Sequence, residues 1–403
     1  MTNPLENKVI VLGITGSIAA YKAAELASKL TQSGALVNVI LTESAQKFIS
    51  ALTFQSVTGR KALTENDLWG TEGHVTHIAL GQSADLIVIA PASANTIAKL
   101  AKGIADNLLT ITALAARCPL MVAPAMDAGM YGHPATQLNV TTLKERGVSF
   151  IGPAEGHLAS GLVGLGRMEE PKEIFGRINW ELAKEGSLRG KKIVITAGGT
   201  REPIDPVRHI TNRSSGRQGY ALAQSALNEG ADVVLISAPT SITPPIGCRM
   251  VKTRSAEEML NAVLMEIDQS EALIMTAAVS DFRPVERRSN KIKKTEEFDL
   301  IRLENTKDIL LEVAKVKTST GFPKRTIGFA AESENLIENA KNKLKTKNID
   351  LIIANDILAP DSGFEVETNQ VSFIYSTGLV DKKPLMKKSE VADLIIQQVI
   401  KWL

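Results

Sequence analysis

Val9-Ile10-Val11-Leu12-Gly13-Ile14-Thr15-Gly16-Ser17-Ile18-Ala19-Ala20-Tyr21-Lys22 is the stretch on which the fold turns. Residues 9–12 are all apolar, so a strand built from them needs cover on both faces, as parallel strands have. A turn of small residues follows, and from Ser17 onward residues 18–30 carry apolar side chains at helical spacing. The same alternation recurs with apolar runs at 37–41, 86–90 and 120–123 and a second long helical stretch at 96–116, beginning near Asn95. Strand, helix, strand, helix is the pattern of parallel strands joined by crossover helices. It stops over 182–190, where Ala183-Lys184-Glu185-Gly186-Ser187-Leu188-Arg189-Gly190 is polar with two glycines. It restarts with a strand at 192–196, a helix at about 219–228 and strands at 233–237, 273–276, 326–329 and 351–354. The expectation is an α/β chain of two doubly wound three-layer domains, residues 1–185 and 190–403, each with its ligand site at the carboxyl ends of its strands.

A chain of 403 residues exceeds what one core usually organises. Its 46 basic and 44 acidic residues nearly cancel, so no global field recruits nucleic acid or an anionic membrane. Aromatics make up 4% of the residues, few for stacking on nucleobases. Cys118 and Cys248 stand far apart without metal-ligand spacing, which suits a reducing cytoplasm. The N-terminus lacks a basic-then-apolar leader, and no apolar run reaches the ~18 residues of a membrane span.

In the first half, Gly13 to Lys22 lets backbone N–H groups at a helix start approach a phosphate. Its spacing departs from Gly-x-Gly-x-x-Gly, and no acidic residue follows Leu41-Thr42 to hold an adenosine ribose. A mononucleotide such as FMN is favoured over NAD(P), and with it a dehydrogenase reading recedes. Ser93, Asn95 and Thr96 after the third strand also read as helix caps, a role compatible with ligand contact.

With Gly16-Ser17-Ile18-Ala19-Ala20-Tyr21-Lys22, His77-Ile78-Ala79-Leu80-Gly81, Ala92-Ser93-Ala94-Asn95-Thr96 and Pro124-Ala125-Met126-Asp127 leading to Met130, the first half resembles the flavin-containing cysteine decarboxylase family. The resemblance implies a flavodoxin-like domain acting on 4′-phosphopantothenoylcysteine. FMN would be held by Gly16, Ser17, Ile18, Thr42, Phe48, Ser93, Asn95, Thr96 and Met126, with His77, Asp127 and Ser160 catalytic. A cysteine carboxylate has no electron sink for the carbanion left by CO2; flavin oxidation of the thiol creates one. The chain departs from the family pattern at Asp127, where Asn is common, and at Ser160, where Cys is common. An ionised Asp127 would repel the substrate carboxylate unless protonated or paired with a cation such as Arg167. A hydroxyl is a weaker acid than the thiol associated with the last reductive step. Three readings stand: a variant site that still decarboxylates, one that stops at an oxidised intermediate, and a flavin-binding oligomerisation scaffold. The intact glycine-rich flap around Arg167 favours the first.

The second half resembles phosphopantothenate–cysteine ligase through Thr196-Ala197-Gly198-Gly199-Thr200-Arg201-Glu202-Pro203-Ile204-Asp205-Pro206-Val207-Arg208, Asn212-Arg213-Ser214-Ser215-Gly216, Ala277-Ala278-Val279-Ser280-Asp281-Phe282, Lys291-Ile292-Lys293-Lys294, Gly328-Phe329-Ala330-Ala331-Glu332 and Ala354-Asn355-Asp356. The implied domain is Rossmann-like. Its implied reaction activates the carboxylate of 4′-phosphopantothenate with CTP and Mg2+, releasing pyrophosphate, and the amine of L-cysteine then displaces CMP. Asn212 and Lys291 would be catalytic. Ser214, Ser215, Gly216, Arg217, Asp281, Lys291, Asp308, Ile309, Phe329, Lys343 and Lys347 would contact CTP or substrate. Asn305-Thr306-Lys307-Asp308-Ile309-Leu310 lacks a proline frequent in the family, and residues 284–297 also read as a solvated basic loop. The combined resemblance spans nearly the whole chain and implies a cytoplasmic homo-oligomer, a dodecamer, with no nucleic-acid or membrane partner.

Overall fold

The computed structural model describes residues 3–69, 76–293, 300–332, 336–356 and 366–403, and the chain divides into two compact units, Asn3–Leu182 and Ala183–Leu403. The first contains β1 (Val9–Ile14), α1 (Ala20–Gln32), β2 (Leu36–Leu41), α2 (Ala51–Thr58), α3 (Thr76–Ser83), β3 (Leu86–Ala92), α4 (Ala94–Lys102), α5 (Leu108–Ala115), β4 (Leu120–Pro124), α6 (Ala128–Gly132), α7 (Pro134–Glu145), β5 (Ser149–Phe150), β6 (Ala154–His157), β7 (Val163–Arg167) and α8 (Pro171–Ala183). The sheet is all parallel in the order β2-β1-β3-β4-β5, the flavodoxin-like order. β6 and β7 form a separate antiparallel hairpin.

The unbroken apolar run of β1 follows from its two-sided burial. Ile10, Leu12 and Ile14 pack with Ala23, Leu26 and Leu30 of α1 and Ile174 and Ile178 of α8. Val11 points the other way, into a core with Ile97, Leu109 and Val140 of α4, α5 and α7. Gly13 lies on that second side, where a Cβ would come within 2.4 Å of Leu109 Cδ1. One expectation is corrected: 96–116 is two helices. Gly103 ends α4 in the left-handed region (φ 69°), and Asn107 starts α5 by accepting from Thr110 N at 2.9 Å.

The second unit contains β8 (Lys192–Ala197), β9 (Arg201–Pro203), β10 (His209–Thr211), α9 (Arg217–Asn228), β11 (Asp232–Ser237), β12 (Arg249–Lys252), α10 (Ala256–Glu266), β13 (Ala272–Met275), β14 (Phe282–Pro284), β15 (Leu303–Asn305), α11 (Ile309–Thr320), β16 (Arg325–Glu332), α12 (Leu336–Thr346), β17 (Leu351–Asp356), β18 (Thr368–Asn369), β19 (Val371–Tyr375), β20 (Val380–Lys382), β21 (Met386–Lys387) and α13 (Lys388–Lys401). Its main sheet runs β12-β11-β8-β13-β16-β17-β19-β20. The first six strands are parallel. Counted from β8 they follow the Rossmann order, with the reversal between β8 and β13. β19 and β20 add an antiparallel edge. Val194, Ile236 and Leu273 face α10 and α11. The alternate residues Ile193, Ile195 and Leu235 are also fully buried, on the side where α9 and α13 pack together.

Candidate active sites

In the first unit, the loops after β1, β2, β3 and β4 meet at the carboxyl edge beside the β1/β3 reversal. Thr15 ties two of them: its Oγ1 donates to Pro91 O at 2.8 Å and accepts from Ser93 N at 2.9 Å. Gly16 passes so close to the loop after β2 that a Cβ would lie 2.6 Å from Ser44 Cβ. Thr42 closes that loop by accepting from Ala45 N at 3.3 Å. Ser93 is a cap, accepting from Thr96 N at 3.3 Å, and Thr96 Oγ1 lies 3.1 Å from Ser93 Oγ. Asn95 is exposed. Ser17 accepts only a local bond from Ala19 N at 3.2 Å, and no side chain caps α1. Ala20 N and Lys22 N are engaged by Ser17 O and Ala19 O, so among the described residues it is the turn ahead of α1, with the backbone N–H groups of Gly16, Ser17 and Ile18, that can face an anion. Ile18 and Phe48 are 61% and 53% exposed beside this edge, an apolar surface suited to a planar ring. His77 lies in the first turn of α3, and its Nδ1 is buried with no hydrogen-bond partner among the described residues.

The two departures from the family pattern touch. Asp127 caps α6 through Oδ1, accepting from Gly129 N at 2.9 Å, while its Oδ2 accepts the Ser160 hydroxyl at 2.6 Å. Those two donors, Ser160 foremost, hold the Asp127 carboxyl below the usual carboxylate range. Arg167 is not its partner. Arg167 Nη2 donates to Glu170 Oε1 at 2.7 Å, and the buried Lys22 Nζ meets the same oxygen at 2.9 Å. The glycine-rich flap is the β6–β7 hairpin, held to the loop after β4 by Met126 N donating to Gly166 O at 3.0 Å. A Cβ at Gly166 would fall 2.2 Å from Met126 O.

In the second unit, β8 and β13 are stitched at their carboxyl ends. Thr196 Oγ1 accepts from Thr276 N and Ala277 N at 3.1 Å each, and Thr200 Oγ1 accepts from Ser280 N at 2.9 Å. A cavity of about 630 Å³ opens over this edge. Asn212, Ser214, Ser215, Gly216 and Arg217 line it from the start of α9, and Asn212 is oriented by donating Nδ2 to Val279 O at 3.1 Å. Gly216 takes the left-handed conformation (φ 79°) at the head of α9, where no side chain caps the helix. Asp281, Ile309, Phe329 and Lys343 line the cavity too. Asp308 and Lys347 line it as a 2.6 Å ion pair, with Asp308 also capping α11.

Lys291 is exposed and outside the lining. Its neighbour Ile292 is buried and donates N to Asp205 Oδ2 at 3.3 Å, so Asp205 fixes where this basic segment leaves the fold. Lys294 lies outside the described residues. Sequence reasoning assigned no role to Gln218, Asn355, Asn369 or Lys388, all of which line the cavity. Lys388 carries no local signal. It arrives because α13 docks on α9, with Gln218 Nε2 donating to Lys388 O at 3.1 Å and Ser225 Oγ to Asp393 Oδ1 at 2.7 Å. Burial, then the nearby Arg217 guanidinium, push the Lys388 ammonium below the ordinary lysine range, against a smaller opposing pull from Glu367.

Residues 1–182 match the family described as Flavoprotein, and residues 188–403 match that described as DNA/pantothenate metabolism flavoprotein C-terminal domain. The chain is 45% identical over 398 residues to the coenzyme A biosynthesis bifunctional protein CoaBC of Bacillus subtilis (strain 168), covering 98% of this chain and 97% of that protein. It is 40% identical over 408 residues to the protein of the same name from Mycobacterium tuberculosis (strain CDC 1551 / Oshkosh), with 98% and 97% covered. Among solved structures, the C-terminal domain of a coenzyme A biosynthesis bifunctional protein CoaBC matches with TM-score 0.46 and 40% identity over 54% of this chain and 97% of that one. The FMN-dependent cysteine decarboxylase SpaF matches with TM-score 0.36 and 36% identity over 40% and 91%. No helix among the described residues is long and apolar enough to cross a membrane.

Proposed function

The chain belongs to the family of bifunctional coenzyme A biosynthesis proteins, a ligase and a decarboxylase in one polypeptide, and from that premise we propose how its two halves divide the work. Residues 190–403 form the CTP-dependent ligase, which joins 4′-phosphopantothenate to L-cysteine. Residues 1–185 form the FMN-dependent decarboxylase, which turns the resulting 4′-phosphopantothenoylcysteine into 4′-phosphopantetheine. The observation that carries this reading is the cavity at the β8/β13 reversal, where one edge presents amide, hydroxyl and ammonium donors to an extended polyanion.

In the ligase half, the backbone of Ser214 to Gly216 and the open start of α9 receive a phosphate, and Lys343 and Lys347 neutralise charge as pyrophosphate leaves. Lys347 does so by exchanging its Asp308 partner for the nucleotide. Asn212, already held by Val279 O, keeps its remaining amide hydrogen and carbonyl oxygen for the acyl intermediate. Lys291 closes over the substrate from the segment anchored by Asp205. Mg2+ would be carried in on the nucleotide's phosphates, whose oxygens suit it.

In the decarboxylase half, the uncapped start of α1 and the exposed Ile18 and Phe48 fit a phosphate joined to an apolar ring. Bound FMN supplies the oxidising equivalents that make loss of CO2 possible. His77, with a desolvated Nδ1 free to form a hydrogen bond, moves the thiol proton. Asp127 and Ser160 act as one unit: the carboxylate holds the hydroxyl at the flap tip, and charge pairing with Arg167 is not used. The exposed Tyr21 and Leu52 support self-association into a homo-oligomer, and two free cysteines suit the cytoplasm.

The test supplies 4′-phosphopantothenate, L-cysteine, CTP and Mg2+ to the purified yellow protein under anaerobic conditions. The expected result is CMP, CO2 and phosphopantetheine in equal amounts. Accumulation of the uncleaved amide would remove the decarboxylase assignment, and absence of CMP the ligase assignment.

A further inference from the structure

Lys22 stands third in α1, in the first turn, where the helix dipole disfavours a cation, and it is only 6% exposed. A lysine is seldom buried unless it is paired, and here both partners lie just beyond the end of β7. Lys22 Nζ donates to Met168 O at 3.2 Å and to Glu170 Oε1 at 2.9 Å. The Met168 side chain is buried in the core that holds Ala20 and Ala23 of α1 and Ile174 and Ile178 of α8. Lys22 foremost, with Arg167 and against burial, holds the Glu170 carboxyl below the usual carboxylate range. The β6–β7 hairpin is therefore fastened to α1 at its root, while at its turn Ser160 donates to Asp127 Oδ2 at 2.6 Å. Between these two points the hairpin has little to hold it. Its strands pair with each other and with no strand of the main sheet, and Leu162, Val163 and Leu165 are exposed.

We propose that Lys22 is a positioning residue for decarboxylation: it clamps the root of the β6–β7 hairpin to α1 and so sets where the turn of the hairpin brings Ser160 to Asp127. This rests on the decarboxylase reading above. An apolar side chain of the same length would fill the slot beside Met168, but only a charged donor reaches Met168 O and the Glu170 carboxylate together, in bonds stronger than neutral ones. α1 also follows directly on the turn proposed for the cofactor's phosphate. Cofactor and hairpin are thereby referred to one helix, and the clamp keeps Asp127 and Ser160 in register with the flavin edge. Lys22 itself touches neither the substrate nor the cofactor in this arrangement.

The experiment uses the full chain with Lys22→Met, which keeps the reach of the side chain and removes its donors, and Glu170→Ala, at a half-exposed position outside the core. Hairpin mobility is read as the rate of chymotrypsin cleavage after Leu162 or Leu165 in the purified protein, and catalysis as kcat and KM for 4′-phosphopantothenoylcysteine. For Lys22→Met, cleavage accelerates about tenfold and kcat falls about tenfold, while KM, flavin content and ligase turnover stay within about twofold. Glu170→Ala lies between wild type and Lys22→Met. Adding Ser160→Ala to Lys22→Met lowers kcat no further, because the contact at the turn is already lost; a lysine that served stability alone would give additive losses. Wild-type cleavage and kcat in Lys22→Met, or additive losses in the double variant, overturn the proposal. Should Lys22→Met fail to fold, wild-type cleavage and kcat in Glu170→Ala overturn it equally. A wild-type chain that releases no CO2 would count against the decarboxylase reading itself, and the cleavage rates would still decide whether Lys22 clamps the hairpin.

Discussion

Asp205 is a single residue on which a distant segment depends. Its Oδ1 accepts from Val207 N and Arg208 N at 2.7 Å each, and its Oδ2 from Ile292 N at 3.3 Å. Burial works to raise its pKa, but these three donors and the Arg208 guanidinium outweigh it and hold the carboxyl below the usual range. A carboxyl depressed in the folded state stabilises above its unfolded pKa of about 3.9, and that stabilisation is lost as pH falls through the lower folded value. The stability gap between wild type and Asp205→Asn, read by denaturant titration, is therefore expected to be constant near neutrality and to narrow below about pH 4. At neutral pH the same variant is expected to lose ligase turnover and keep decarboxylase turnover. Asp127 and Ser160 give a second expectation at this scale. Because they share one hydrogen bond, the decarboxylation rate of the Asp127→Ala/Ser160→Ala double variant should be no lower than that of the worse single variant. Additive losses would separate the two residues. Their identities were legible in the sequence as departures from a pattern. Their contact was not, since they stand 33 positions apart and the turn of the β6–β7 hairpin brings them together.

Among elements, β1 and β8 with the turns that follow them were readable because two-sided burial gives each an unbroken apolar run, Val9–Leu12 and Ile193–Ile195, and so were the core strands after them. The break between α4 and α5 was not, because Ile104 and Leu108 continue the apolar spacing across Gly103, and only a left-handed residue there decides the matter. The short edge strands β19 and β20 escaped for a different reason: their direction depends on β19 pairing with β17 and β20 with β19, a tertiary fact. Two substitutions test the element scale. Gly13→Ala drives a methyl into Leu109 between β1 and α5 and is expected to cost about 1–3 kcal/mol, read as a lower unfolding midpoint. Ser93→Ala removes the α4 cap and is expected to cost about 1 kcal/mol in the flavin-free protein. A larger loss in the flavin-loaded protein would add ligand contact to its capping role.

For the whole molecule, each unit owns its core, so ligands should stabilise the units separately. FMN is expected to raise the midpoint of one thermal transition and CTP with Mg2+ that of another, resolved by calorimetry. A single transition moved by both ligands would mean that the units unfold together. Both Rossmann-type layouts put their reversal where ligands are expected, so the sites could be located in advance to a sheet edge. The residues that close the second cavity from α13 could not, because α13 lies at the far end of the sequence from β8.

The bare helix starts after β1 and β8 set a limit on improving this protein by design. Capping α4, α5 and α10 with Ser93, Asn107 and Ser255 is ordinary good practice for a stable chain. Extending that practice to the turn ahead of α1 is expected to raise heat tolerance while seating a tethered oxygen where the proposed site receives the cofactor's phosphate. A thermostability screen run without cofactor would enrich such variants and return a hardier, colourless catalyst.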